Sequence, residues 1–180
     1  MDKRPEPELV AELMRYDPST GGLEWRERPK ESFRSQRESE AIRWNARYAG
    51  KPAFTAKMGG GYYCGAINKI ALQAHVVAWC LHYGKWPSGE IDHINGNRQD
   101  NRLENLRNVT RADNARNRRT PRNNTSGVIG VSYCKRDRVW IAHIASKRIS
   151  SHKNKDDAIS ARKSAEQEMG FHANHGRKEK

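Results

Sequence analysis

Apolar residues near the start of the chain recur at helical spacing. Leu9, Val10, Leu13 and Met14 share one face of the segment PELVAELMRYD, and the turn-forming run DPSTGG ends this predicted helix. The alternation in LEW then predicts a short strand at 23–25. The segment RERPKESFRSQRESEAIRWNARY is polar and charged, so we expect a long loop over 26–48.

The pattern of residues 50–86 predicts a strand, a glycine turn, a second strand and a helix. The glycines at 59–61 form the predicted hairpin loop. In QAHVVAWCLHYGKW, the apolar positions share a helical face and Gly84 is the predicted stop. A histidine among valine and tryptophan is more often a packing residue than a ligand, so we predict a packing role for His75, and likewise for Trp79 and Trp86.

Residues 90–119 follow the order strand, loop, strand, helix. The first strand, 90–94, ends at the turn pair Asn95-Gly96, and a polar loop leads to a second strand at 106–109. Thr110 is the predicted N-cap of a helix that reaches about Arg119.

The last part of the chain alternates through three predicted strands, 128–132, 138–144 and 147–150, followed by the helix KDDAISARKSAEQEMGF. Before them lies a turn-rich linker at 121–126. These elements predict a three-stranded antiparallel sheet packed on one helix, and an α+β fold class for the chain.

Composition and charge narrow the class of partner. The 180 residues are 35% hydrophobic and 31% charged, so we expect small modules with little buried apolar area. The net charge of +13 is uneven, because residues 1–97 hold 14 Lys/Arg and 12 Asp/Glu, whereas residues 98–180 hold 20 and 9. Residues 98–122 contain eight arginines, whose planar guanidinium matches phosphate oxygens. The second half of the chain is therefore predicted to bind a polyanion. The alternative is that the arginine-rich segment is only a solvent-exposed basic helix.

Cysteine spacing and the hydrophobicity profile predict where the protein resides. Cys64, Cys80 and Cys134 are odd in number and widely spaced, so we predict reduced thiols rather than disulfides or structural zinc. The segment MDKRPEPELV has no apolar signal-peptide core, and no apolar run approaches about 18 residues, which predicts a cytoplasmic protein without a membrane partner. His172 and His175 lack clustered ligands and are predicted to belong to a frayed basic tail.

Four polar residues of the 90–119 segment could carry chemistry. The oxygen atoms of Asp92 and Asn114 suit a hard divalent cation, Mg²⁺ or Mn²⁺. A neutral histidine beside such a cation can accept a proton from water, which makes His93 the candidate general base. Asn105 leads into the second strand. The residues alone leave a second interpretation open, in which these side chains only satisfy loop and turn backbone.

The segment DHINGNRQDNRLENL, followed by TRADNARN, resembles the HNH endonucleases of phages and mobile introns, in the subgroup with Asp at the first and Asn at the last position of the motif. The similarity covers roughly residues 62–119. It implies a ββα-metal (His-Me finger) core in which Asp92 and Asn114 bind the metal, His93 activates water, and Asn105 holds the loop that orients His93. Val76 stands where related sequences commonly have arginine, so no arginine contact is expected from that helix.

The segment SGVIGVSYCKRDRVWIAHI resembles the ethylene-response-factor (APETALA-type) DNA-binding domain. In that family the sheet lies in the major groove of DNA, which implies DNA contacts from Lys135, Arg136, Arg138, Trp140, Lys147 and Arg148. Trp140 could instead belong to the core. The arginine-rich segment adds the candidate DNA-binding residues Arg98, Arg102, Arg107, Arg111, Arg118 and Arg119.

Together these features predict a metal-dependent HNH endonuclease of phage or homing type that nicks double-stranded DNA as a monomer. One rival is a non-cleaving sequence-specific DNA-binding protein with a degenerate nuclease core. Another is an RNA-binding module, which the scarcity of aromatics in the arginine-rich segment disfavours. The predicted parts are a support region (1–56), a nuclease domain (57–120), a linker (121–126), a DNA-binding domain (127–171) and a basic tail (172–180).

Overall fold

Two compact units, Met1–Val109 and Thr110–Lys180, make up the chain. Helices and strands occur in both units, so the fold is of the predicted α+β type. None of the helices in the described part of the chain is long and apolar enough to cross a membrane. The residues described by the computed structural model are 4–115, 120–121, 123–144, 146–171 and 175–176.

The first unit combines three helices with three small antiparallel sheets in its described residues. The helices are α1 (Pro7–Leu13), α2 (Glu38–Tyr48) and α3 (Ala74–Tyr83). The strands are β1 (Met14–Tyr16), β2 (Leu23–Trp25), β3 (Ala56–Lys57), β4 (Tyr63–Ile67), β5 (Ile70–Gln73), β6 (Glu90–His93) and β7 (Leu106–Val109).

The predicted N-terminal helix is confirmed as α1, which buries Val10 and Leu13. The predicted turn DPSTGG joins β1 to β2 as a hairpin, in which Gly21 has a φ of 77°. Glycine adopts this φ without strain, and a Cβ at Gly21 would also meet the Asn101 backbone at 2.6 Å. The hairpin turn therefore lies against the loop that carries the site described below.

The long loop predicted over 26–48 is wrong, because its second half forms α2. Trp44 packs edge-on against Trp25, with ring centroids 5.7 Å apart, and against Phe33 at 6.1 Å. Ala41 is buried on the same helix. The polar composition of this segment concealed a helix that aromatic tertiary contacts stabilise.

The predicted strand, glycine turn and strand are confirmed as β3 and β4, joined through residues 59–61, and β5 extends the sheet. The predicted helix is confirmed as α3. It buries Val77 and Cys80 and ends at Gly84, whose φ of 66° lets it cap the helix in the left-handed conformation. All three cysteines are free, as predicted, and burial raises the pKa of the Cys80 thiol to about 11.

One hydrophobic core joins the N-terminal elements to this sheet and helix. Ala53 and Phe54 lie before the predicted boundary at 56/57, yet they pack with Ile67 and Val77, which lie after it. A second cluster unites Ala78 of α3 with Ile91 of β6 and Leu106 of β7. Through these two clusters α3 links the N-terminal core to the β6–β7 hairpin.

The second unit contains the predicted three-stranded sheet and helix. Its strands are β8 (Val131–Cys134), β9 (Val139–Ile144) and β10 (Lys147–His152), in the order β10-β9-β8, and its helices are α4 (Arg111–Ala115) and α5 (Lys155–Glu168). The first strand begins at 131 rather than at the predicted 128. The reason is Gly130, whose φ is 78° and where a Cβ would meet the His143 carbonyl oxygen at 2.5 Å.

The prediction of a frayed tail is wrong at His175, which is 7% exposed. His175 Nε2 lies 3.6 Å from the Glu166 carboxylate, and that carboxylate accepts a hydrogen bond from Arg162 Nε at 2.9 Å. Arg162 also donates to the His143 carbonyl oxygen at 2.6 Å, which ties α5 to β9. His172 lies outside the described residues.

Candidate active site

The β6–β7 hairpin places the central residues of the 90–119 segment. β6 and β7 pair antiparallel, with His93 opposite Leu106 and Asp92 opposite Arg107. The predicted strand, loop and strand are thus confirmed. β6 ends at His93, because the chain turns at Gly96, whose φ is 73° and whose N–H donates to the His93 carbonyl oxygen at 2.9 Å.

Asn105 ties together the loop between the two strands. Its Oδ1 accepts a hydrogen bond from the Asn95 N–H at 2.8 Å, and its Nδ2 donates to the Asp100 carbonyl oxygen at 2.7 Å. Asn95 Nδ2 in turn donates to the Asp100 carboxylate at 2.8 Å. Asn105 therefore connects the start and the end of the loop, and its side chain makes these contacts rather than one to the ring of His93.

His93 is held by Asn101, a residue that sequence reasoning missed. Asn101 Oδ1 lies 3.1 Å from His93 Nε2, and both residues are buried. With Asn101 Oδ1 as the acceptor, this contact corresponds to the His93 tautomer that carries its hydrogen on Nε2 and a lone pair on Nδ1. Burial lowers the pKa of His93, although the Asn101 contact and the nearby Asp92 act in the opposite direction. A neutral, oriented imidazole results.

Two further rings enclose His93. The ring of His75, on α3, lies 4.9 Å from that of His93 between centroids, at an interplanar angle of 69°. Tyr62 lies 5.1 Å from His75 and 5.9 Å from His93. Arg98 lies over Tyr62 at 5.0 Å and donates to the Gly60 carbonyl oxygen at 2.6 Å, which anchors the glycine turn beside these rings. His75 thus lies next to the candidate base.

Asp92 forms an ion pair with Arg107. Arg107 Nε and Nη2 both donate to Asp92 Oδ2, at 2.9 and 2.7 Å. The Asp92 side chain is 10% exposed and the Arg107 side chain is 28% exposed, so this ion pair is partly shielded from water. Two residues assigned separately by sequence reasoning, one to metal and one to DNA, contact each other across the hairpin.

Asn114, the other predicted metal ligand, lies on α4 in the second unit. Its N–H donates to the Thr110 carbonyl oxygen at 2.9 Å. Thr110 Oγ1 accepts from the Asp113 N–H at 3.2 Å, which confirms Thr110 as the N-cap. The predicted extension of this helix to Arg119 lies outside the described residues.

The arginines predicted to bind DNA differ in their surroundings. Arg98 and Arg107 make the contacts given above, and Arg102 forms a paired interaction with Asp100 at 2.9 and 2.8 Å. Arg111 is exposed. Arg118 and Arg119 lie outside the described residues. Phosphate contacts from the first three would therefore compete with contacts inside the chain.

The candidate DNA-binding residues of the second unit separate into two groups. Lys135, Arg136 and Arg138 lie exposed in the turn between β8 and β9, and Lys147 and Arg148 are exposed at the start of β10. The first three lie at the end of the sheet where β8 turns into β9, and the last two lie at its opposite end, on the edge strand β10.

Trp140 has a different environment. It pairs across β8 and β9 with Tyr133, and strand alternation places it on the same side as the buried Ala142, where α5 packs. Lys155, the first residue of α5, lies 5.3 Å from the Trp140 ring. This placement favours packing over base contact for Trp140.

Part of the chain is similar to known proteins. Residues 72–116 match the HNH endonuclease family. The matched range contains Asp92, His93, Asn105 and Asn114, and it lies inside the region of predicted similarity. The chain is also 39% identical over 71 residues to Protein 3.8 of Escherichia phage T7, which covers 39% of this chain and 59% of that relative. No solved structure matches.

Two residues of this site escaped sequence reasoning for different reasons. Asn101 lies in a run, NRQDNRLEN, with several equivalent amides, and only the folded loop selects which amide meets His93. His75 was predicted to pack, and it does, but the ring it packs against is that of His93. The sequence signal that could have identified His75 is a titratable residue in the first turn of an otherwise apolar, buried helix.

Proposed function

We propose that this protein is a metal-dependent HNH endonuclease that hydrolyses phosphodiester bonds of double-stranded DNA, with a ββα-metal core. The observation that carries the proposal is the placement of His93: a buried imidazole at the end of β6, contacted at Nε2 by Asn101 and directly following Asp92 in the strand. This arrangement lies within the segment similar to HNH endonucleases.

His93 serves as the general base through Nδ1. Because burial lowers its pKa, the ring is neutral near physiological pH and retains a lone pair that can accept a proton from water. Only 3% of His93 is exposed, so bulk solvent has little access to its ring. A water that gives its proton to His93 Nδ1 attacks phosphorus in line. The bond from phosphorus to the 3′ oxygen breaks, and that oxygen takes a proton from solvent, which leaves a 5′-phosphate and a 3′-hydroxyl.

Asp92 and Asn114 are the residues we propose to hold a divalent cation, Mg²⁺ or Mn²⁺. Both offer oxygen, the donor type that these hard cations prefer. The Asp92 carboxylate already accepts a positively charged group, since Arg107 donates to it twice. When bound, the cation would polarise the scissile phosphate and stabilise the leaving oxygen. Among the described residues no group of three His, Cys, Asp or Glu could hold a metal alone, so water and phosphate would complete its coordination.

DNA recognition is assigned to two basic regions. Arg111, with Arg118 and Arg119, would contact DNA phosphates. The β8–β9 turn and Arg148 would hold the duplex through the ethylene-response-factor-like sheet, adding affinity that depends on salt. One chain supplies one candidate centre, so a monomer would nick one strand.

The decisive experiment is incubation of the full chain with supercoiled plasmid, with and without Mg²⁺ or Mn²⁺. We expect metal-dependent nicking, and we expect His93→Ala to slow it by a factor of about 10² to 10⁴ while DNA binding changes little. His82→Ala, which removes an exposed histidine from α3, is the matched control. Wild-type protein that never nicks, or His93→Ala protein that nicks at the normal rate, would refute the proposal.

The proposed metal ligands have a separate test. Asn114→Asp keeps an oxygen ligand and should retain activity, whereas Asn114→Ala should raise the metal concentration needed for half-maximal nicking, as should Asp92→Ala. Equal metal dependence in all variants, with folding checked by circular dichroism, would remove Asp92 and Asn114 from the metal site.

One observation favours a second candidate, a DNA-binding protein that does not cleave. Arg107 neutralises Asp92 within the chain, as expected if that carboxylate were structural only. Such a protein would bind plasmid with strong salt dependence and leave it intact in every metal, so the same assay separates the two candidates.

A further inference from the structure

His75 has an environment that packing alone does not explain. It is the second residue of α3, 3% exposed, and its Nδ1 is buried without a hydrogen-bond partner. Burying a polar nitrogen in this way costs free energy that a hydrocarbon side chain would avoid. Such local violations of packing rules concentrate at functional sites.

The neighbours of His75 are the rings that enclose the candidate base. His93 meets it nearly edge-on, at 69° and 4.9 Å, and Tyr62 contacts both histidines. Asn101 holds His93 at Nε2 only, and one hydrogen bond leaves a ring free to rock about that contact. The walls formed by His75 and Tyr62 restrict this motion.

Resting on the function proposed above, we propose that His75 is a positioning residue that keeps His93 in the orientation with Nε2 towards Asn101 and Nδ1 towards the reacting water. His75 itself touches neither DNA nor the reacting atoms in this scheme. It acts only through the ring of His93.

An imidazole suits this role better than a phenyl ring. Edge-to-face contacts are electrostatic, and the edge of an imidazole carries a polarised N–H that interacts with a ring face more directionally than a hydrocarbon edge does. Burial and the nearby His93 also lower the pKa of His75 to about 3, so it stays uncharged and does not repel His93 after proton transfer.

The test uses the full chain with His75→Phe, which keeps a ring but no nitrogen, and His75→Asn, which keeps polarity but no ring. His82→Phe, at an exposed position of the same helix, is the control. Two-bond nitrogen–proton spectra of ¹⁵N-labelled protein without DNA report the tautomer of His93. Single-turnover plasmid nicking at saturating protein measures the cleavage rate, and the same assay at subsaturating protein also reports the affinity for DNA.

We expect a single Nε2–H tautomer of His93 in the wild type and a mixture in both His75 variants. Turnover should fall about tenfold or more, with DNA affinity little changed. If one variant does not fold, the other decides. An unchanged His93 spectrum in a folded variant overturns the inference, as does an altered spectrum with wild-type turnover. An altered spectrum in a protein whose wild type cannot nick DNA would refute the nuclease function while leaving the contact between the rings established.

Discussion

Asn101 is the side chain that most directly orients His93, so its replacement tests the site most sharply. Asn101→Ala removes the acceptor 3.1 Å from His93 Nε2 and leaves that N–H buried. The Asn101 carbonyl oxygen, which accepts a hydrogen bond from the Tyr16 hydroxyl at 2.7 Å, belongs to the backbone and is retained. The change therefore removes one contact from the candidate base and leaves the loop anchored.

The magnitude follows from the cost of the unpaired group. A buried donor without a partner costs about 1–3 kcal/mol, so the free energy of unfolding should fall by about that amount. Losing a hydrogen bond with a net value of about 0.5–1.5 kcal/mol changes the population of the competent ring orientation by a factor of about 2–12. Imperfect alignment of the base adds to this loss, so nicking should slow about 10- to 100-fold. Asn101→Asp keeps an acceptor and should retain the orientation.

The assay is single-turnover nicking at saturating protein, combined with urea unfolding of each variant. Tyr16→Phe is the control, because it removes a hydrogen bond to the same residue without touching His93. If Asn101→Ala loses stability yet nicks at the wild-type rate, Asn101 is structural and the assignment of the lone pair to Nδ1 loses its basis.

Three other outcomes are expected. Arg107→Met should let Mn²⁺ bind the free protein more tightly, because the guanidinium no longer competes for Asp92; unchanged paramagnetic broadening at Asp92 would contradict this. Burial lowers the pKa of His75 to about 3, whereas in the unfolded chain this histidine binds a proton near pH 6.5. The contribution of neutral His75 to the free energy of unfolding is therefore fully present above about pH 6.5, and it falls by about 1.4 kcal/mol per pH unit as the pH drops towards 3. Urea unfolding at about pH 7 and about pH 5 should show a smaller acid loss for His75→Phe than for wild type, and equal losses would contradict the assignment. Replacing Arg136 and Arg138 by Ala should reduce the slope of log affinity against log salt by about 0.9 per lost phosphate contact, and an unchanged slope would exclude the β8–β9 turn from DNA binding.

Much of the fold was predictable because its signals are local. Helical spacing identified α1 and α3, turn residues marked the hairpins, and alternation identified the strands of the second unit. The same local signals predicted the β6–β7 hairpin with His93 at a strand end. The pattern did not predict helix α2 because Trp44 is stabilised by ring contacts with Trp25 and Phe33. Both of these residues lie outside the helix, so the helix's own sequence carries no signal of them.

By itself, the sequence determined which residues could do chemistry: a histidine and an aspartate at the end of one strand, asparagines at defined distances, and a basic second half. These properties depend on residue type and short-range order. Only the tertiary structure decided that Arg107 meets Asp92, that Asn101 contacts the His93 ring, and that His75 lies against that ring. These contacts join residues that are not near neighbours in the sequence. They form only when the strand register, the loop closure and the packing of α3 are set by the whole fold.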